Sequence, residues 1–220
     1  MRYTPLPDPP PQGGRERLSE TLMPIDENAN TDITTRELLR PNGRVLLCGS
    51  IIVAAIATAT LPWPDAIAST VLGILMIAGA DVDARSFLLP DLVTGGAVLC
   101  GLVATSLLDP FDPWRGLTAA AGGAVLVGAL LWLARWAYAR LRHREGIGLG
   151  DVKLAAAIGA WLPLDAVAIC FALATSAALI AVLLARLRGQ PIERTARVPF
   201  GAFLCPALWL VDYATRSLQG

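Results

Sequence analysis

Charge is scarce in this 220-residue chain: 16% of its residues are Asp, Glu, Lys or Arg, against roughly 25% in soluble domains. The 18 basic and 18 acidic side chains cancel, and without a basic excess the composition argues against nucleic acid as a partner. The single histidine, His143, stands among Arg140, Arg142 and Arg144, the setting of a solvated basic loop. No Ser or Cys has a base beside it in sequence, which argues against Ser–His and Cys–His nucleophiles. The four cysteines, Cys48, Cys100, Cys170 and Cys205, fall in separate apolar runs with no CxxC pair. They read as small buried hydrophobes and not as a zinc ribbon, a thioredoxin-like site or a disulfide framework. No metal or cofactor is implied. No apolar h-region follows Met1 within residues 1–43, so that stretch is not a secretory signal.

What the chain has in abundance is apolar sequence, 55% of it, gathered into long runs that exclude a soluble enzyme. The expected fold is all-α, a polytopic membrane bundle of six or seven transmembrane helices behind a polar N-terminal tail. Spans are expected near 45–62, 66–82, 88–108, 117–138, 151–162, 164–185 and 198–213. The 151–162 segment is well short of the ~20 residues that a bilayer core requires, and it leaves the count open between six and seven. Residues 1–43, with Pro5, Pro7, Pro9, Pro10 and Pro11 and mixed charge, cannot bury a core and read as a largely disordered cytoplasmic tail. A short helix over Thr35–Arg40 is the one element expected there. Residues 44–215 form the membrane-embedded domain.

Orientation follows from the basic residues. With the tail in the cytoplasm, 16 of the 18 Lys and Arg lie on its side, and only Arg115 and Arg216 lie opposite. The loops on that opposite side are short and acidic, and carry Trp63, Trp114 and Trp161 as candidate interface anchors. The lipid bilayer is thus the first partner the sequence implies.

Two stretches interrupt the apolar pattern with carboxylates at span ends on the cytoplasmic side. One runs from Asp81 and Asp83 to Leu88-Leu89-Pro90-Asp91. The other is Gly146-Ile147-Gly148-Leu149-Gly150-Asp151-Val152-Lys153. Ionisable groups at membrane spans are costly and point to function. Two carboxylates across a hydrated pocket share a proton, so one can draw a proton from water while the other donates to the scissile group. Gly148 and Gly150 tolerate unusual backbone and would let an extended peptide approach closely. The plainer reading has a flexible loop with Asp151 as a helix N-cap. The Gly-x-Gly-x-Gly spacing does not indicate a nucleotide site, because no strand precedes it and no βαβ unit exists.

These motifs together resemble the type IV prepilin peptidases, membrane aspartic proteases of the Gly-x-Gly-Asp class. The resemblance rests on Asp83 with Leu-Leu-Pro-Asp at 88–91, on Gly-x-Gly-Asp-Val-Lys-Leu at 148–154, and on Val198-Pro199-Phe200-Gly201. It covers about residues 45–213 and implies catalytic roles for Asp83, seven residues before Pro90, and for Asp151. Asp81 is then a supporting carboxylate, since two residues on a helix are about 200° apart and cannot share a pocket. Asp91 caps the next span. Lys153, the single lysine, either holds Asp151 or the substrate backbone, or else snorkels to the phosphate layer. The implied substrates are prepilins or pseudopilins within the membrane, cut between a basic leader and an apolar helix. Fuller members carry paired CxxC motifs linked to N-methylation of the product; none is present here, so a peptidase without methyltransferase activity or zinc is expected. Two other classes compete: a small proton- or cation-coupled transporter, and a non-catalytic subunit of a secretion or pilus apparatus.

Overall fold

A computed structural model describes residues 40–108, 112–142, 146, 148–188 and 198–219. The expected tail up to position 39, its short helix and the loop holding His143 lie outside the described residues. Seven helices account for nearly all the rest: α1 (Gly43–Thr60), α2 (Trp63–Ser86), α3 (Asp91–Leu108), α4 (Pro113–Arg142), α5 (Leu149–Trp161), α6 (Leu164–Leu187) and α7 (Gly201–Gln219). Each expected span is one helix, and no strand occurs among the described residues. Five of them, α1 to α4 and α6, are long and apolar enough to cross a membrane. Their outward faces carry Ile51, Leu99, Val103, Leu130 and Leu183, all more than half exposed. Those side chains would be costly in water and suit contact with lipid.

Helix ends follow local chemistry. Asn42 caps α1 by accepting the Arg44 N–H at 3.2 Å. Pro64 in the first turn of α2 occupies a position where no helical N–H is needed. At its other end α2 is closed by Phe87, the one non-glycine residue with positive φ (55°) among the described residues, whose N–H donates to the Asp83 carbonyl at 2.9 Å. This left-handed cap usually falls to glycine, and it stops the helix one turn after Asp83. Pro90 then starts α3.

The interior element is α5. At 13 residues it is about 20 Å long, too short for a hydrocarbon core of about 30 Å, and it is apolar on all sides from Leu154 to Trp161. It packs against α4 and α3 and touches α7 and α6. The α4–α5 crossing is made by glycine: a Cβ on Gly159 would fall on the carbonyl oxygen of Gly123, and a Cβ on Gly123 on that of Gly159. Because the obstacle is backbone, no side chain can yield. Gly159→Ala should therefore push the helices apart and cost about 1–3 kcal/mol, read as a lower unfolding temperature in detergent.

Trp161 differs from expectation. It is 5% exposed, its indole N–H donates to the Ala97 carbonyl at 2.7 Å, and Gly101 leaves room for its ring. Trp63 and Trp114 are 72% and 75% exposed and remain suited to an interface. Trp161 is a core residue because α5 ends inside the bundle. At this same end, Arg216 of α7 pairs with Asp65 at 2.7 Å and Asp212 at 2.9 Å, with its guanidinium 5.6 Å over the Trp161 ring.

Candidate active site

Asp83 lies in the last turn of α2 and Asp151 in the first turn of α5, at the same end of the bundle. Asp83 is 4% exposed. Its carboxylate accepts the Ala202 N–H at 2.8 Å, from the first turn of α7, where backbone N–H groups lack helical partners. A buried carboxylate is thus held by donors that the helix itself leaves free. Gly201 makes the approach possible. A Cβ there would stand 2.9 Å from the Asp83 carboxyl and would also run into the Leu89 side chain. Both obstacles are side chains that can move, so Gly201→Ala should fold but displace Asp83. If this carboxylate reacts, the rate falls by about 10- to 100-fold with little change in unfolding temperature.

Asp151 is half-buried. The N-cap of α5 is Gly148, not Asp151, and Asp151 stands three residues in. From there its carboxylate faces back to the Gly148 N–H, one half of a capping box. Burial raises the Asp151 carboxyl to about 6, the charge of Asp83 adds to the rise, and the Gly148 N–H acts in the opposite direction. The two carboxyls thus lie near enough for the charge of one to bear on the other.

The remaining candidates take distinct places. Asp81 lies about 200° around α2 from Asp83. It accepts from Arg85 at 2.5 Å and from the Asn42 N–H at 2.6 Å. Arg85 also donates to the Arg40 carbonyl at 2.9 Å, so Asp81 ties the start of α1 to the end of α2. Lys153 pairs with Asp91 at 2.5 Å, joining the first turns of α5 and α3. The bare face of Gly150 is filled by Leu89, whose Cβ would stand 3.0 Å from an added Cβ, so this glycine serves packing within the chain. Leu89 accordingly wedges between Gly150 and Gly201, beside both aspartates. Sequence reasoning missed the Ala202 N–H and the wedge of Leu89, because both are contacts between distant segments.

Known proteins resemble this chain over much of its length. The model of the type IV leader peptidase family matches residues 70–184, which hold both Asp83 and Asp151. A prepilin leader peptidase/N-methyltransferase of Aeromonas hydrophila is 32% identical over 167 residues, 76% of this chain and 56% of that protein. The Dickeya chrysanthemi protein of the same name is 42% identical over 110 residues, 50% of this chain and 38% of that protein. Leader peptidase HopD of Escherichia coli is 34% identical over 131 residues, 60% of this chain and 82% of that protein. The chain thus spans about half the length of the longer relatives, at 56% of the Aeromonas hydrophila protein, and most of the shorter one. No solved structure matches it. With the family model covering more than half of the sequence and both aspartates inside the match, the chain belongs to the type IV leader peptidase family.

Proposed function

We propose that this protein is a membrane aspartic endopeptidase that cleaves the basic leader from type IV prepilins or type II secretion pseudopilins. The observation that carries this reading is the placement of Asp83 and Asp151 at one end of α2 and α5, on either side of Leu89, within a chain of the leader peptidase family. In the proposed reaction the pair holds one proton. The ionised aspartate takes a proton from a water, whose oxygen attacks the scissile carbonyl carbon. The protonated aspartate donates to the carbonyl oxygen; as the C–N bond breaks, the aspartate that took the proton of water gives it to the leaving amine, and the other takes one back from the gem-diol. Water is consumed and the shared proton is restored.

The charge map supports cleavage at the cytoplasmic face of a bacterial inner membrane. Arg85, Arg140, Arg142, Arg186 and Arg188 lie at the same helix ends as the aspartates, whereas Arg115 and Arg216 lie at the other. This is the arrangement of the positive-inside rule. A substrate helix in the bilayer with its basic leader in the cytoplasm would present its cleavage site at the level of the pair. Placement of both carboxylates at one end favours hydrolysis over ion transport, which calls for polar groups near the midplane.

The test is cleavage of a purified prepilin by the purified protein in detergent, with the new N-terminus read by mass spectrometry. A single cut between basic leader and apolar helix is expected. An intact substrate overturns the reading. A reporter fused after residue 140 should behave as cytoplasmic, and a periplasmic signal would overturn the orientation.

A further inference from the structure

The bundle has a lateral apolar groove between α1, α2 and α7, a cavity of about 370 Å³. Val45 and Val53 line one wall, Met76 and Ala80 the floor, and Pro206 and Trp209 the other wall. It is bracketed at both ends. Asp81 ties α1 to α2 at one end through Asn42, and at the other Tyr213 of α7 donates to Thr60 of α1 at 2.9 Å. Between these ties α1 and α7 diverge. On α2 the lining runs from Gly73 to Ala84, about 16 Å or three turns.

Two features separate this groove from an ordinary lipid-filled crevice. First, it borders the aspartate site: Ala202, the residue whose N–H holds Asp83, lines its wall, although neither Asp83 nor Asp151 does. Second, Pro206 lies inside α7 and has no N–H, so the Ala202 carbonyl lacks the helical bond that residue 206 would supply. An acceptor without its helical partner therefore stands on the groove wall at the residue that holds Asp83. The first turn of an incoming helix carries the complement, N–H donors with no partner of their own. An acyl chain carries none. A second apolar cavity, about 460 Å³ between α2 and α3, is lined by Ile67, Val71, Val103 and Trp161; it lies toward the other end of α2, away from Ala202.

We propose that the α1–α2–α7 groove is the docking site for the apolar helix of the substrate, its first turn against Ala202 and the preceding scissile bond at Asp83 and Asp151. This rests on the peptidase reading above. Specificity for a helix-bearing substrate then comes from the groove, and the aspartates act on whatever peptide bond the docked helix presents.

The test compares a full prepilin with a short peptide that ends a few residues past the cut. Val45→Trp and Ala80→Leu, which fill the groove, should lower the ratio of kcat/KM for the full substrate over the peptide by about tenfold, through KM. Val103→Trp, which fills the second cavity, should leave that ratio as it is. A ratio unmoved by the groove variants, or moved equally by Val103→Trp, overturns the proposal. A photo-crosslinker placed at Val45 in an Asp151→Asn chain should capture the apolar helix of the prepilin, and at Val103 should not. Capture of lipid or of a second copy alone at Val45 also overturns it. Failure of the peptidase reading is distinguished by the wild-type protein, which would then cleave neither substrate.

Discussion

Replacing either Asp83 or Asp151 with Asn should reduce prepilin cleavage by on the order of 10³-fold or more, because each substitution removes one partner of an acid–base pair. Asn retains the size of Asp and can still accept the Ala202 N–H that Asp83 receives at 2.8 Å, so the fold should survive. The readout is the initial rate of leader release from purified prepilin. Asp81→Asn should bring a far smaller loss, since Asp81 serves Arg85 and Asn42 and lies on another face of α2. Normal processing by both the Asp83 and the Asp151 variants would sink the mechanism. Loss with Asp81→Asn but not with Asp83→Asn would transfer the role to Asp81.

The same substitution has an opposite effect on stability. Burial and the charge of Asp83 raise the Asp151 carboxyl from 3.8 to about 6, so the folded state binds a proton more tightly than the unfolded chain. Folding is then progressively penalised as pH rises from about 4 to about 6, and the penalty stays constant above that range. At 1.36 kcal/mol per pH unit the shift corresponds to about 3 kcal/mol, reduced to about 1–2 kcal/mol by the partial exposure of the group. Asp151→Asn lacks this penalty. It should melt above wild type at pH 7–8 and match it near pH 4, while remaining inactive. Activity has its own pH dependence: cleavage needs one proton on the pair, and it should decline as pH climbs beyond the range in which that proton is held. An unchanged melting temperature at pH 7–8 would show that the Asp151 carboxyl is not raised.

Much of this arrangement is legible in the sequence because its signals are local. The seven apolar segments are seven helices, and the segment expected at 66–82 extends to Trp63–Ser86 because Pro64 starts a helix well and Phe87 provides a left-handed stop. The separation of Asp81 from Asp83 follows from helical geometry alone. What was not legible depends on contacts between distant parts of the chain. Trp161 has the residue type of an interface anchor, but α5 ends inside the bundle and its indole N–H finds Ala97. Asp151 looks like an N-cap until Gly148 takes that position. Ala202 has no side-chain chemistry to betray it, and its importance lies in an N–H that α7 leaves unpaired. Arg216 reads in sequence only as one of two basic residues on the far side, and its burial with Asp212 and Asp65 depends on how α7 packs on α2.

Arg216→Leu should destabilise the bundle by about 3–5 kcal/mol, the usual cost of leaving a buried ionic partner uncompensated. Arg216 is 11% exposed and Asp212 3%, and the guanidinium bonds both Asp212 and Asp65. Without it, Asp212 is a carboxylate in an apolar interior with no cation beside it, and α7 loses its link to α2. The effect should reach the far end of the bundle. α7 runs from Ala202, which holds Asp83, to Arg216, which covers Trp161 at the end of the helix that begins beside Asp151. A shift of α7 at Arg216 is therefore a shift of the donor at Asp83. The double variant Asp212→Leu/Arg216→Leu distinguishes charge from shape, because it removes both buried ions together and leaves only Asp65, at 32% exposure, to be solvated. It should recover most of the lost unfolding temperature in detergent, since a well-packed apolar replacement is often neutral. If the double variant is no more stable than Arg216→Leu, the residue contributes through its packing on Trp161 and not through neutralisation of Asp212.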